Sequence, residues 1–371
     1  MASRGGRTGR KSGKAGDAFG DAVAVLMAGG AGTRFWPLST PDLPKQFVTA
    51  LTDRPLYVQA AERARLLVPW ERVLVMTHAG FVDLVREQTP EALPANVILE
   101  PLRRNTAAAI ILAAIVISRR WPGATMVVMP SDHLIADTDA FRQTLSKAVA
   151  RARRGGLGTI GIPPTSPATG FGYLRLARKR DGDGPVRVEQ FVEKPDRARA
   201  EQYVASGRYV WNSGIFVWQA KALLEAAARH LPQVYEPLAR LRKVVDTPAF
   251  DSRVHEAFQH IESISVDYGI MEKAEDVWAV PATFSWNDLG SWLAAAELLP
   301  ADASGNHVRG KVILGGARGN VVIAESAAPL VVAGVSDCVV IQGPAGTLVC
   351  HKDMMDHLKP LLERVLSGAP R

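Results

Sequence analysis

One stretch of the chain has the composition of a phosphate-binding loop. The sequence LMAGGAGTRFWPLST, residues 26–40, follows a short apolar run and carries Gly29, Gly30 and Gly32. Backbone amides of glycine can approach phosphate oxygens because no Cβ lies in the way. Arg34 can add a bidentate contact, and Lys45 supplies a second positive charge. The alternative is an ordinary turn between a strand and a helix, but the two cations favour phosphate binding.

The loop belongs to neither of two common phosphate motifs. A dinucleotide fingerprint GxGxxG beginning at Gly30 needs a third glycine where the chain has Phe35. A P-loop needs Gly-Lys-Ser/Thr, and no lysine follows Gly32 before Lys45. We therefore expect a phosphate loop of another class.

Two carboxylates from distant parts of the chain could together hold a divalent cation. Asp132, in PSDHL, follows a very apolar segment, and Asp288 lies in the aromatic, glycine-flanked segment FSWNDLGSW. Taken alone, such a carboxylate is favoured as a cap of the following turn. Taken together, the two suit Mg²⁺, which needs one or two carboxylates besides phosphate oxygens and water. We interpret His133 as a hydrogen-bonded structural residue rather than a metal ligand.

Three further segments mix small, polar and aromatic residues in the way that sugar sites do. They are TGFGY (169–173), FVEKP (191–195) and WNSGIF (211–216). Lys194 could reach a substrate phosphate while Glu193 accepts hydrogen bonds from hydroxyl groups. Because the two are adjacent on a predicted strand, we expect their side chains on opposite faces unless a bulge intervenes. A solvated ion pair and ordinary turn glycines are the structural alternatives.

The sequence between these segments predicts a sheet that would bring them together. Short Val/Ile/Leu runs alternate with helical patterns, which indicates an α/β fold with a mostly parallel, Rossmann-like sheet and helices on both faces. The predicted strands are 22–27, 72–77, 96–100, 125–130 and 157–162, and the predicted helices are 55–67, 80–88, 105–120 and 139–153. Such sheets bind ligands at the carboxyl ends of their strands. The glycine loop, EPLRRNTAAA (100–109) and PSDHL should therefore meet at one edge.

A change of pattern predicts a second, smaller domain. From about residue 305 the chain consists of short Val/Ile runs separated by glycine turns, followed by a final helical segment. This favours a small all-β unit, either a few coils of β-helix of the left-handed type or a small sandwich. We predict a disordered basic tail over 1–20, an α/β domain over 21–300 and the β-rich domain over 301–371.

Composition narrows the class of protein. The 371 residues are 47% hydrophobic, and mean hydropathy is +0.02, as expected for a globular protein in water. The net charge of +7 arises largely within residues 1–14, which hold five basic residues and no acid, so it does not indicate nucleic-acid binding. Two cysteines, and the lack of a long apolar run or an apolar leader, predict a cytoplasmic protein without a membrane partner.

With these segments in view, the chain resembles the sugar nucleotidyltransferases, and among them the mannose-1-phosphate guanylyltransferases (GDP-mannose pyrophosphorylases). The matching segments follow the family order over about 21–295: AGGAGTRFWPLS with PKQF, EPLRRNTAAAI, MPSDHLI, TGFGYLR, FVEKP, WNSGIF, VDYGIMEKA and WNDLGSW. Each alone is weakly specific, but eight in order are very specific. The chain departs from the family pattern at Phe35, Thr40, Arg103 and Ala108, the last two beside the expected base pocket.

The resemblance implies transfer of GMP from GTP to α-D-mannose 1-phosphate, giving GDP-mannose and pyrophosphate by direct in-line attack, with Mg²⁺ as cofactor. It implies that Arg34 and Lys45 hold the triphosphate, that Lys194 holds the sugar phosphate, and that Asp132 and Asp288 hold Mg²⁺. The implied nucleoside contacts are Ala28, Gly29, Gly30, Gly32, Thr33, Asn105 and Thr106. The implied mannose contacts are Gly170, Glu193 and Asn212. Asp267 and Lys273 are supporting residues without an assigned role.

Alternatives stay open at this point. They are another hexose 1-phosphate or nucleotide, a non-catalytic paralogue that binds nucleotide sugar, and a dehydrogenase, which Phe35 disfavours. A silent paralogue would be expected to lose a metal carboxylate or a cation of the phosphate site. This chain keeps both carboxylates, Asp132 and Asp288, and both cations, Arg34 and Lys45. A homodimer is one option for the oligomeric state. The metal hypothesis also predicts that Asp132→Asn or Asp288→Asn leaves thermal stability unchanged or raised, because facing like charges repel.

Overall fold

A computed structural model describes residues 18–30, 32–49, 52–177 and 182–366. All but the last three residues of the predicted tail, 1–20, lie outside the described residues. Within the described ranges, no helix combines the length and the apolar character that a membrane span requires.

The described residues form the following strands and helices. The strands are β1 (Ala22–Met27), β2 (Val73–His78), β3 (Val97–Glu100), β4 (Thr125–Pro130), β5 (Leu134–Ile135), β6 (Leu157–Ile162), β7 (Tyr173–Leu176), β8 (Val186–Val192), β9 (Tyr209–Gln219), β10 (Val277–Pro281), β11 (Trp286–Asn287), β12 (His307–Gly310), β13 (Val312–Gly315), β14 (Val321–Ala324), β15 (Leu330–Ala333), β16 (Cys338–Gly343) and β17 (Gly346–His351). The α-helices are α1 (Leu56–Arg65), α2 (Val82–Gln88), α3 (Asn105–Arg120), α4 (Thr138–Ala152), α5 (Arg197–Ser206), α6 (Ala220–His230), α7 (Pro232–Ala239), α8 (Phe250–Gln259), α9 (Trp292–Ala296) and α10 (Leu358–Leu366).

Nine strands form the central sheet, in the order β3-β2-β1-β4-β9-β6-β10-β8-β7. Side chains of β1 alternate between two cores, because successive residues of a strand point to opposite faces. Val23 and Val25 pack with α3 on one face, and Ala24 and Leu26 pack with α1 and α4 on the other. The predicted α/β architecture, with helices on both faces, is confirmed.

The sheet is more mixed than a simple parallel arrangement. Strands β1 to β4 are parallel to one another, but β9 runs antiparallel between β4 and β6, and β8 runs antiparallel to β10. The predicted strands themselves lie within one residue of β1, β2, β3, β4 and β6. The insertion of β9 depends on pairing between residues far apart in the chain, which a local pattern does not carry.

Successive runs of the C-terminal chain stack on one another. Strands β12, β14 and β16 pair in parallel, β13 pairs in parallel with β15, and β17 closes the larger sheet in antiparallel fashion. Two buried asparagines join neighbouring runs, since Asn320 Nδ2 donates to Asn306 Oδ1 over 2.9 Å. The predicted β-rich composition of this region agrees with these strands, and its boundary at 300/301 stays a prediction.

The C-terminal strands share a core with the glycine-rich loop. Phe35 and Leu38 of the loop pack with Leu289 and Trp292 and with buried side chains of the C-terminal strands and helix: Val321, Ile323, Val339, Ile341, Leu348, Leu358 and Leu362. The loop after β1 is therefore supported from the C-terminal part of the chain.

Candidate active site

The glycine-rich loop leaves the carboxyl end of β1 and is held from beneath by polar side chains. Gln46 Nε2 donates to the carbonyl oxygens of Ala28 and Gly30 over 3.2 and 3.0 Å. Ser39 Oγ donates to the carbonyl oxygen of Gly32 over 2.7 Å. Gly32 has a φ of 56°, and a Cβ there would lie 2.5 Å from the amide nitrogen of Lys45. Only glycine fits this approach, so the loop conformation depends on Gly32.

Arg34 and the two predicted metal ligands line one cavity of about 270 Å³. Its walls are Gly32, Arg34, Phe35, Lys45, Asp132, His133, Asp288, Leu289 and Gly290. Arg34 itself is exposed. The structure thus brings together the cationic loop and both acidic residues, although Asp132 and Asp288 come from distant parts of the sequence. Their roles toward substrates stay predictions.

A short antiparallel ladder positions the two carboxylates. Strand β5 follows Asp132 closely, β11 precedes Asp288, and the two strands pair through Leu134 and Asn287. The segment after β11 turns sharply, because Leu289 has a φ of 46° and is fully buried. This ladder is too short to be recognised in a sequence.

Lys45 connects the two acidic segments directly. Its Nζ lies 2.9 Å from Asp132 Oδ2 and donates to the carbonyl oxygens of Asp288 and Leu289 over 2.8 and 3.2 Å. The Lys45 side chain is only 5% exposed, so its ammonium is largely shielded from water. Its ammonium has three N–H groups, and three protein oxygens surround it. The expected contact of Lys45 with the triphosphate stays a prediction. In the structure, Lys45 joins the segment of Asp132 to that of Asp288 and Leu289, and we call this arrangement the Lys45 clamp.

The surroundings keep Asp132 ionised. Burial by itself raises the pKa of this carboxyl, but the ammonium of Lys45 outweighs that effect and lowers the pKa to about 2. Burial lowers the pKa of neighbouring His133, and the charge of Asp132 only partly offsets it. Trp286 Nε1 donates to His133 Nδ1 over 3.2 Å, which places the ring proton of the neutral imidazole on Nε2. His133 thus has the structural hydrogen bond expected from the sequence.

The donor set fits Mg²⁺ better than a transition metal. Asp132 and Asp288 offer carboxylate oxygens in the same cavity. Mg²⁺ is bound by one or two carboxylates together with substrate phosphates and water. Within the described part of the chain, no group of three or more His, Cys, Asp and Glu side chains is arranged to hold a metal.

A second cavity of about 230 Å³ adjoins the first and shares Gly32 and Asp132 with it. Thr106 lies in its wall, and Thr106 Oγ1 accepts a hydrogen bond from the Val266 amide over 2.9 Å. Asn105 begins α3 with a φ of 59° and is exposed, and its Oδ1 accepts from the Thr106 amide over 2.8 Å. These two of the seven predicted nucleoside contacts therefore lie at this edge of the sheet. The side chain of Thr33 lies outside the described part of the structure.

Sequence reasoning missed Glu100, which ends β3 beneath the glycine loop. Glu100 is 7% exposed, and a Cβ on Gly29 would lie 2.8 Å from its Oε1. Burial raises the pKa of Glu100 to about 7, against a smaller opposing effect of Arg103. An acid that ends an apolar strand in EPLRRN was the available signal.

Two of the three predicted sugar residues, Asn212 and Glu193, lie near Asp267. Asn212 Nδ2 donates to Asp267 Oδ1 over 2.8 Å, and Asn212 Oδ1 accepts from Thr159 Oγ1 over 2.8 Å. Burial, followed by the charge of Glu193, raises the pKa of Asp267 to about 6. Asp267 also lines the second cavity. Protein contacts therefore fix the orientation of Asn212. Asp267, to which the sequence assigned no role, faces a cavity that a ligand could enter.

Glu193 and Lys194 do not point to opposite faces, so that expectation was wrong. Strand β8 ends at Val192, and Lys194 adopts a φ of 49°. Its ammonium therefore turns back and lies 2.6 Å from Glu193 Oε1. Burial lowers the pKa of Lys194, but the hydrogen bond and charge of Glu193, with smaller effects of Tyr268 and Asp267, outweigh it and raise the pKa. The Lys194 side chain remains 52% exposed, so it can contact a ligand.

The TGFGY segment contributes more through its neighbours than through Gly170. Gly170 is exposed and has open space at its Cβ position. Phe171 accepts the Lys194 amide hydrogen bond at its carbonyl oxygen over 3.3 Å, and its ring contacts Trp286 with centroids 5.3 Å apart. The ring of Trp286 in turn lies 5.3 Å from that of His133. The sugar-side loop and the carboxylate cavity are thus in contact through aromatic packing.

A strand-end loop with cations, two acidic residues in its cavity and a second, adjoining cavity are features of a nucleotide-binding transferase on an α/β sheet. The chain belongs to the nucleotidyl transferase family, whose pattern matches residues 23–304. It is 38% identical over 349 residues to a mannose-1-phosphate guanylyltransferase from Escherichia coli, covering 92% of this chain and 73% of that protein.

Two further relatives agree with this assignment. The xanthan biosynthesis protein XanB of Xanthomonas campestris is 34% identical, with 94% of this chain and 74% of that protein covered. A crystal structure of mannose-1-phosphate geranyltransferase from Thermus thermophilus superposes with a TM-score of 0.82 at 34% identity, covering 93% of this chain and 99% of that chain. The family predicted from the ordered motifs is confirmed.

Proposed function

We propose that this chain transfers GMP from GTP to α-D-mannose 1-phosphate and releases pyrophosphate. The observation that carries the proposal is the shared cavity of Arg34, Asp132 and Asp288, with Lys45 joining the two acidic segments. The names of the Escherichia coli and Klebsiella pneumoniae relatives, both mannose-1-phosphate guanylyltransferases, support the choice of nucleotide and sugar.

The reaction needs positioning and charge stabilisation rather than a covalent intermediate. A phosphate oxygen of mannose 1-phosphate forms a bond to the α-phosphorus of GTP while the bond to the bridging oxygen of the β-phosphate breaks. Negative charge grows on the leaving pyrophosphate, and Arg34 with the loop amides would stabilise it. Mg²⁺, held by Asp132 and Asp288, would neutralise charge on the reacting phosphates. Lys45 keeps the two acidic segments in register, and Asp132 stays ionised because of it.

Glu100 offers a means of selecting guanine. Guanine presents two adjacent donors, N1–H and N2–H, whereas adenine has an acceptor at N1 and no N2 amine. In its ionised form, the carboxylate of Glu100 at the end of β3 could accept both donors, and the site would leave it unpaired against adenine. Buried polar groups without a partner cost about 1–3 kcal/mol, enough for roughly tenfold selectivity or more.

The sugar end of the site combines acceptors and one cation. Asp267 and Glu193 can accept hydrogen bonds from mannose hydroxyl groups, and Asn212 holds Asp267 in place. The half-exposed ammonium of Lys194 is the group available for the phosphate of mannose 1-phosphate. Gly170 is the remaining proposed mannose contact, and its Cβ position has open space around it.

The decisive experiment is a pyrophosphate-release assay with four nucleoside triphosphates and several hexose 1-phosphates. We expect GTP with mannose 1-phosphate to have the highest kcat/KM, at least about tenfold above ATP, which corresponds to about 1.4 kcal/mol. Equal use of ATP or dTTP would contradict the guanine assignment while leaving nucleotidyl transfer intact. A lack of pyrophosphate release with every pair would instead favour a non-catalytic binding protein.

We also propose a division into an α/β domain over 21–300 and a β-rich domain over 301–371 that winds as a short left-handed β-helix. The parallel ladders β12-β14-β16 and β13-β15 support the helical winding. The gap between α9 and β12 supports the boundary. We also propose that the chain forms a homodimer. A measurement of the protein's molecular mass in solution tests this.

A further inference from the structure

The hairpin formed by β16 and β17 contacts residues 36–38, the segment that closely follows Arg34. A Cβ on Gly343 would lie 2.8 Å from the carbonyl oxygen of Pro37 and 2.5 Å from Leu38 Cδ2. A Cβ on Gly346 would lie 2.9 Å from the indole ring of Trp36. Real Cβ atoms essentially never approach other heavy atoms this closely, so the two glycines allow the hairpin to touch the loop.

Hydrogen bonds hold the same two segments together. The Ala345 amide donates to the Pro37 carbonyl oxygen over 3.4 Å. Trp292 Nε1, on α9, donates to the carbonyl oxygen of Trp36, also over 3.4 Å. The segment 36–38 is therefore held by both the hairpin and α9.

This contact is close to the phosphate loop's main cation. Arg34 lies in a single 3₁₀ turn, Thr33–Phe35, directly before the segment that the hairpin touches. Phe35 is 1% exposed and packs edge to face on Trp292, with ring centroids 4.8 Å apart. Only Phe35 separates Arg34 from residues 36–38, so a displacement of that segment has one residue over which to be absorbed before it reaches Arg34.

We propose that the β16–β17 hairpin positions the phosphate loop, and that Gly343 is a positioning residue for Arg34. The inference rests on the proposed function for the identity of the substrate, but the geometry applies to any nucleoside triphosphate bound by the loop. A shift of a few tenths of an ångström at Pro37 would move Arg34 relative to the triphosphate. Misplacements of about 1 Å can cost on the order of 100-fold in rate.

Two alanine variants separate this effect from a general loss of structure. Gly343 and Gly315 both end a C-terminal strand, and neither has a positive φ. A Cβ on Gly315 would meet only Ala333 Cβ at 3.5 Å, an ordinary contact. Gly315→Ala is therefore a matched control for Gly343→Ala, in which the new methyl group meets main-chain atoms of the loop.

We expect Gly343→Ala to lower kcat/KM for GTP by about tenfold or more, with KM for mannose 1-phosphate within about twofold of wild type. Gly315→Ala should keep both within about twofold. Thermal shift measures nucleotide binding without turnover. The GTP concentration that gives half of the maximal rise in Tm should be higher for Gly343→Ala than for wild type, and unchanged for Gly315→Ala. Trp36→Phe, which removes the ring atoms against Gly346, should show the same pattern more mildly.

The outcomes distinguish the two proposals. Wild-type protein that releases no pyrophosphate from GTP and mannose 1-phosphate would contradict the proposed function, and nucleotide binding by thermal shift would still test the hairpin. Folded Gly343→Ala with the GTP kinetics and GTP response of Gly315→Ala would overturn the positioning role. If Gly343→Ala does not fold, unchanged GTP kinetics and binding in Trp36→Phe would overturn it instead.

Discussion

The ammonium of Lys45 lies 2.9 Å from Oδ2 of Asp132, and the same ammonium donates to the carbonyl oxygen of Asp288 over 2.8 Å. One lysine therefore joins the segment after β4 to the segment after β11. The Lys45 side chain is 5% exposed, while that of Asp132 is 40% exposed. The pair thus has a buried cationic half and an accessible acidic half, which leaves the carboxylate able to meet a ligand.

Replacement of Lys45 by methionine should remove this clamp while keeping much of the side-chain volume. We expect kcat to fall by about 100-fold or more, as for loss of a major electrostatic group, and Tm to fall because two carbonyl oxygens lose their donor. Lys221→Met, at a position on α6 that is 81% exposed, is the control and should behave as wild type. Normal turnover of Lys45→Met would contradict both a phosphate contact and a clamping role.

Asp132→Asn and Asp288→Asn should each lose about 100-fold or more in kcat at saturating Mg²⁺. The double variant should be little worse than either single one, because groups that act as a unit are not additive. Steady-state kinetics over a range of Mg²⁺ concentrations measure this. Fully multiplicative losses in the double variant would show that the two residues act separately.

The thermal stability of Asp132→Asn should decrease, which revises the expectation drawn from charge repulsion. Lys45 lowers the pKa of Asp132 to about 2, from an ordinary value of 3.8, so the folded state favours the ionised form. A depressed pKa stabilises the fold above the ordinary value, and this stability is lost as the pH falls toward 2. Because the carboxylate is partly exposed, we expect about 1 kcal/mol. Melting curves at pH 7 for this variant and wild type test the sign; an unchanged or higher Tm would restore the repulsion argument.

Arg34→Ala and Lys194→Ala should impair different substrates. Loss of a charge-assisted contact to phosphate costs about 1.5–3 kcal/mol, or roughly 10- to 100-fold. We expect the Arg34 variant to lose kcat/KM for GTP and the Lys194 variant to raise KM for mannose 1-phosphate. Arg197→Ala, at an exposed site near Lys194, is the control. If both variants impair the same substrate to the same degree, the division of roles is wrong.

Glu100→Gln should narrow the preference for GTP over ATP by about tenfold, because an amide cannot accept both guanine donors. It should also change how stability depends on pH. Burial raises the pKa of Glu100 from 4.5 to about 7, so its stabilising effect is present in acid and is lost as the pH rises through 7. The variant should therefore be more stable than wild type at pH 8, by on the order of 2–3 kcal/mol, and should not be at pH 4.

Exposed Glu87 on α2 provides a control for that substitution. Glu87→Gln should keep both the nucleotide preference and the pH dependence of Tm. Unfolding curves between pH 4 and 8, with kinetics for both nucleotides, measure the two effects independently. An unchanged GTP preference in Glu100→Gln would remove this residue from base recognition, whatever its effect on stability.

Local sequence determined the strands of the sheet and the character of the loop. The runs that became β1, β2, β3, β4 and β6 are visible because a buried strand needs apolar residues at every position. The glycine loop can be recognised in the sequence because its positive φ at Gly32 requires a glycine, and Arg34 follows two residues later. The family followed from the order of short segments, each of which records a local requirement of backbone or side chain.

Tertiary structure decided which of these residues meet, since that depends on contacts between positions far apart in the chain. Neither the antiparallel β9 nor the β5–β11 pair leaves a local pattern, yet the latter brings Asp132 toward Asp288. The sequence predicted the side chains of Glu193 and Lys194 on opposite faces of a strand. Because the backbone at Lys194 is left-handed, the two side chains form an ion pair instead. Residue types that can bind phosphate, metal and sugar were thus readable from the sequence. Their distances, the burial that shifts their pKa values and the contact of the β16–β17 hairpin with residues 36–38 came from packing of the whole chain.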